Sequence, residues 1–310
     1  MKTRVTEVLG IKYPVICGAM AGNVSRPKLV AAVSEAGGLG VLASGTITPD
    51  ELRVQIDQVK ALTDKPFAVN LLMRSENADE MAKIVVEKGV KIVMSGAGSP
   101  ERFMSFFKEN GVKVVPVIPN VKTALKMESL GVDAVVAEGM ESGGFIGETT
   151  TLPLIPQVCD AVKIPVIAAG GIADGRTMAA TFILGAEGVQ MGTRFLACEE
   201  CEIHDNFKKS VVAANDTATV IMGKGVKHGV RGLRTPKSDE ILAAEKAGDH
   251  PLFLKLLFSS IQNAVERGDI ENGSMMCGQI AGIVNDIKPA KAIIEEICGE
   301  AEKILGGVNL

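Results

Sequence analysis

A chain of 310 residues, 46% hydrophobic and 23% charged, is close to an ordinary soluble globular protein and carries ample apolar surface for one large core. The formal charge of −4, from 33 basic and 37 acidic residues in short mixed groups without a basic stripe, argues against nucleic-acid binding. No window reaches the roughly 18 uninterrupted apolar residues of a membrane span, and Met1-Lys-Thr-Arg-Val-Thr-Glu7 has no apolar signal core, so a cytoplasmic protein is expected.

In chain order, the first apolar run, Val15 to Cys17, opens into Gly18-Ala19-Met20-Ala21-Gly22, small enough for backbone to lie against a flat ring. Further short runs follow at Gly40–Leu42, Phe67–Asn70, Ile92–Ser95, Val114–Ile118, Ala134–Ala137, Pro165–Ala168 and Gly188–Met191. Most are continuously apolar, which marks strands covered on both faces. Between them the apolar residues recur at helical spacing over 27–36, 49–62, 78–88, 100–110, 121–130, 152–162 and 176–184, with glycines such as Gly89, Gly111 and Gly131 at the helix exits. Eight strands alternating with helices predict an α/β fold, a (β/α)8 TIM barrel.

The alternation stops after Phe195. The expected organisation is a barrel core over 1–204, an inserted, mostly helical segment over 205–277, and a final helical segment over 278–310 that completes the barrel. An insertion after the eighth strand sits over the C-terminal rim, so it reads either as a substrate-covering lid or as a cap that stabilises the barrel.

Three late strands run out into glycine: Glu138-Gly-Met-Glu-Ser-Gly143-Gly144-Phe145-Ile-Gly147, Ala169-Gly170-Gly171-Ile172, and Gln190-Met-Gly192-Thr193. Barrels hold phosphate between the loops after strands seven and eight, where backbone N–H groups can approach it. Gly170, Gly171 and Ile172 occupy one of these loops and Gly192 and Thr193 the other. Asn70 ends the third strand and could meet a flat heterocycle or cap a turn. Glu138 follows the sixth strand and could orient a ring or satisfy its own loop; no second carboxylate or histidine stands by it as an acid/base pair. His204 and His228 lie near or within the insertion, so either could reach the mouth, whereas His250 precedes Pro251 in a polar stretch. Cys198-Glu-Glu-Cys201 lacks enough nearby ligands for zinc, and the six cysteines read as free thiols; no metal is expected.

These passages resemble the flavin-dependent family that includes enoyl-acyl-carrier-protein reductase II and nitronate monooxygenase. The likeness spans nearly the whole chain, through Thr6–Met20, Ala36-Gly-Gly-Leu-Gly40, Asn70, Ser95–Gly98, Ala137–Met140, Ile164–Gly175, Gly192–Phe195 and Gly273–Gly282. It is closer to the enoyl reductase branch through Lys2–Glu7 and Gly278-Gln-Ile-Ala-Gly282. The resemblance implies FMN in the barrel mouth, with phosphate on Gly170, Gly171, Gly192 and Thr193. It places the ring near Met20, Asn70 and the loop after Glu138, and Ala19, Gly143, Gly144, Ile172 and Gln190 complete the implied cofactor set. It further implies NADH or NADPH as reductant, a 2-enoyl thioester, free or on an acyl carrier protein, as acceptor in fatty acid synthesis, and a possible homodimer. One position departs: the family reads Gly-Gly-His-x-Gly where this chain has Gly143-Gly144-Phe145-Ile146-Gly147, so the implied proton-handling histidine is missing. Phe145 leaves three readings: an enoyl reductase with another donor, a flavin reductase with another acceptor such as a quinone, alkene or nitronate, or a non-catalytic FMN-binding protein.

Overall fold

The computed structural model describes residues 1–225 and 229–307. Eight parallel strands close into a barrel: β1 (Val15–Cys17), β2 (Leu39–Ala43), β3 (Phe67–Leu72), β4 (Ile92–Gly96), β5 (Lys113–Ile118), β6 (Val135–Glu138), β8 (Val166–Ala169) and β9 (Gly188–Met191). β9 pairs with β1 to close the ring. Each strand lies within two residues of an expected apolar run, because strands buried on both faces carry their signal locally.

The two-residue alternation of a strand sorts its side chains between barrel interior and helix layer. Ile16, Val41, Ala68, Met94, Val115, Val136 and Ile167 form an inner cluster, while Val15, Cys17, Val69, Val93, Val135, Ala168 and Val189 pack outward on the helices. The helix Arg4–Leu9 closes the N-terminal end of the barrel: Val5, Leu9 and Ile11 join the inner cluster, and Arg4 is hydrogen-bonded to Glu187 just before β9. One end of the barrel is thereby plugged.

The region after β9 holds the helices Asp205–Val212, Pro236–Lys246 and His250–Val265, and the chain returns to the barrel with Ala290–Gly307. This last helix packs on Gly175–Ile183, where Gly175 N–H donates to Glu300 Oε2 at 2.8 Å. A small antiparallel sheet was not expected from the sequence. β10 (Thr219–Met222) pairs with β11 (Val230–Leu233), and β11 pairs with β7 (Gly144–Phe145) from the loop after β6. Two residues are too few to show a strand period, so β7 exists only through its partner. No helix of the described residues is long and apolar enough to cross a membrane.

Candidate active site

The period of two that fills the barrel also builds the floor of its mouth. The next inward positions above the inner cluster are Gly18, Ala43, Asn70, Gly96, Val117, Glu138, Ala169 and Gln190, one per strand, and all eight line a cavity of about 600 Å³. Most are small, and the polar three, Asn70, Glu138 and Gln190, come from β3, β6 and β9. The roof is apolar: Phe207, Val230, Leu257, Phe258, Ile261 and Met276 reach the cavity from the region after β9. A concave apolar space with a few convergent polar groups is the usual form of a small-molecule site.

All twelve residues of the implied cofactor set line this one cavity, as does Phe145. At the loop after β8, Gly170 and Gly171 have φ of +85° and +75°, which L side chains rarely adopt, and a Cβ on Gly170 would meet Gly139 O at 2.7 Å. Gly192 differs. Its φ is −109°, and a Cβ there would touch only the Met20 side chain, at an ordinary 3.6 Å. Among the described residues, nothing at 192 requires glycine. Among the hydrogen bonds of the described residues, none uses the N–H of Gly170, Gly171, Ile172, Gly192 or Thr193 as donor. Thr193 Oγ1 accepts the Gly278 N–H at 2.8 Å, which leaves its own hydrogen to donate.

The carboxylates divide. Glu141 lies 3.0 Å from Thr151 N–H through each oxygen and 2.9 Å from Thr151 Oγ1, so it ties the glycine loop to the start of the helix Thr151–Ala161. Glu138 has no ion pair among the described residues, and burial pushes its carboxyl up to about 7. The Ser142 hydroxyl favours the charged form weakly, although no hydrogen bond of good geometry joins the two.

Arg231 of β11 is not a surface charge. It is 4% exposed and donates to Met140 O through Nε and Nη2, at 3.3 and 3.1 Å, and to Thr219 Oγ1 through Nη1 at 3.0 Å. The guanidinium braces the glycine loop from behind.

His204 does not reach the mouth. It is exposed, and its Nδ1 accepts the Asn206 N–H at 3.1 Å as the cap of the helix Asp205–Val212, because a residue just before a helix turns its acceptor onto the free N–H groups of the first turn. It is therefore withdrawn as a catalytic candidate. His228 lies outside the described residues. Cys198 and Cys201 are buried thiols, and Cys198 Sγ is 2.9 Å from Glu200 Oε2. No metal-holding group of three His, Cys, Asp or Glu occurs among the described residues. Phe145 is 59% exposed at the cavity edge, paired through its backbone to Val230. Phe145→His is expected to shift unfolding stability by less than about 0.5 kcal/mol, measured by thermal denaturation, so that any altered turnover reports chemistry and not folding.

The sequence reading expected a lid or a cap from 205–277 but named none of the side chains of the roof. Leu257, Phe258, Ile261 and Val265 lie at the three- to four-residue spacing of one helix face, so the periodicity was present, but nothing local shows which surface that face covers.

Comparison with known proteins gives a consistent neighbourhood. The sequence model for nitronate monooxygenase matches residues 2–86 and 79–300. A Mycobacterium tuberculosis protein named (3aS,4S,5R,7aS)-5-hydroxy-7a-methyl-1-oxo-octahydro-1H-indene-4-carboxyl-CoA dehydrogenase is 34% identical, covering 97% of this chain and 96% of its own. A probable nitronate monooxygenase of Staphylococcus saprophyticus is 33% identical, covering 98% and 99%. The solved structure of FabK from Thermotoga maritima superposes with a TM-score of 0.95 at 48% identity, covering 99% of this chain and 98% of that one.

Proposed function

The chain belongs to the nitronate monooxygenase family of FMN-dependent oxidoreductases, and from that premise we propose that it is an NAD(P)H-dependent reductase of 2-enoyl thioesters. The observation that carries this reading is the higher identity to FabK than to the relatives named nitronate monooxygenase. The Mycobacterium relative is named for a carboxyl-CoA, which is also a thioester.

The residues present fit FMN. Two adjacent loops offer N–H groups without acceptors among the described residues, beside a glycine at 192 that the fold itself does not need. Gly170, Gly171, Gly192 and Thr193 would hold the phosphate, and Asn70 and Gln190 would face the flat ring from the floor. When bound, FMN supplies two-electron transfer between the nicotinamide and the acceptor. The protein's part is to orient, to exclude water beneath the apolar roof, and to manage one proton.

The purified protein is expected to be yellow, to release FMN on denaturation, and to oxidise NADH or NADPH faster when crotonyl-coenzyme A is added. A colourless protein that cannot be reconstituted with FMN would defeat the reading. Phe145 at the family's histidine position keeps a second reading in view, a flavin reductase with another acceptor. Stimulation by a quinone or a simple alkene, with none by the thioester, would select it.

A further inference from the structure

We propose that Glu138 is the catalytic acid of this site, delivering to the α-carbon the proton that completes reduction of the enoyl bond; the assignment rests on the thioester reading above. Glu138 is the last inward position of β6, with its Cα paired to Ala169 of β8, and its side chain forms part of the cavity floor. Among the described residues that line the cavity, only Glu138 and Glu141 are ionisable; the others are apolar, glycine, amide or hydroxyl. Glu141 is committed to Thr151 through both oxygens. Among the described residues Glu138 has no ion pair and no such tie.

The surroundings of Glu138 suit an acid. β5 and β8 present Val117, Ile118, Ala169 and Gly170 beside it, and the helix Thr151–Ala161 presents Thr151, none of them charged. The nearby charges are Glu141 on the same loop and Arg231 from β11, whose guanidinium is turned onto Met140 O and Thr219 Oγ1. With no cation among the described residues in contact, burial favours the neutral carboxyl, placing its titration at about 7. An acid balanced near neutrality both gives up and recovers a proton readily.

In the step itself the β-carbon gains a hydrogen with its electron pair, the two electrons deriving from NAD(P)H through the cofactor. The alkene electrons shift to the α-carbon and thioester oxygen. The Glu138 O–H bond breaks, a C–H bond forms at the α-carbon, and the carboxylate then takes a proton from water. The sum is enoyl thioester, NAD(P)H and one proton giving acyl thioester and NAD(P)⁺.

The test compares wild type, Glu138→Gln, Glu138→Asp and His228→Ala as FMN-loaded enzymes with crotonyl-coenzyme A. Glu138→Gln is expected to lower kcat on the order of 10²- to 10⁴-fold with little change in KM, and Glu138→Asp to fall between it and wild type. Wild-type turnover should decline as pH rises past about 7, while the residual rate of Glu138→Gln stays flat.

A second readout needs no turnover. In FMN-free protein, the infrared difference between wild type and Glu138→Gln should contain the carbonyl stretch of a protonated carboxyl at about pH 5.5 and lose it by about pH 8.5. The sign for stability follows from a raised carboxyl. The folded state holds the proton to higher pH than the unfolded chain, so wild-type stability falls between the ordinary carboxyl range and about 7. Glu138→Gln should therefore gain in melting temperature relative to wild type as pH rises through that window.

A Glu138→Gln enzyme within tenfold of wild-type kcat that keeps the wild-type pH profile overturns the proposal. So does the lack of a protonated-carboxyl band, or a comparable loss in His228→Ala with Glu138→Gln near wild type. A wild-type enzyme that shows the band but does not reduce the thioester overturns the thioester reading and this proton's destination together. That outcome is distinct from turnover that ignores Glu138.

Discussion

Gly192→Ala is expected to weaken FMN binding on the order of 10- to 100-fold, about 1.4–2.8 kcal/mol, while moving the melting temperature of the FMN-free protein by less than about 2 °C. The two halves have separate causes. In the protein alone, a Cβ at 192 meets only Met20, at ordinary contact distance, and the backbone there is open to any residue. With a phosphate held against the N–H groups of 192 and 193, the same methyl would stand in the ligand's place and lengthen the hydrogen bonds that hold it. Fluorescence titration of FMN and thermal unfolding of the FMN-free protein measure the two halves. A fall in stability with affinity intact would mean that the glycine serves the fold after all.

Gly143→Ala should behave in the opposite way. A Cβ at 143 would lie 2.6 Å from both Cα and C of Cys277 and 2.8 Å from the N of Gly278, backbone that no side-chain rotation can move aside. The crossing is reciprocal, since a Cβ on Gly278 would meet Glu141 O at 2.6 Å. Here two chain segments touch through their main chains, and Gln279 N–H donates to Glu141 O at 2.9 Å beside the contact. The substitution is expected to cost roughly 2–4 kcal/mol and to lower the melting temperature by several degrees even without FMN. Denaturant unfolding of the FMN-free protein checks it. A normal midpoint together with lost FMN binding would return Gly143 to the ligand-contacting set that the resemblance implies.

The two glycines show where reading the chain ends. Both stand in glycine-rich loops after barrel strands, and the sequence treats them alike. Only the approach of Cys277 separates them, and that depends on a segment more than a hundred residues later in the chain. Phe145 and Arg231 repeat the lesson. Phe145 is visible in sequence as a departure from the family pattern, yet its place on a strand edge follows from pairing with β11. Arg231 sits in a basic, glycine-dense passage, and it is buried with its guanidinium on Met140 O, 91 residues away.

The sequence by itself determined the barrel. Strands covered on both faces declare themselves as local apolar runs, and Asn70 and Glu138 stand at the ends of two of them. It also determined the two glycine loops, since their order after the last two strands is a property of the chain. Tertiary structure alone decided which side chains form the roof, the brace behind the glycine loop, the withdrawal of His204 to a helix cap, and which cavity carboxylate has no ion pair or tie among the described residues. Each of these is a contact between segments far apart in the chain, and no local period encodes which distant surface a face will meet.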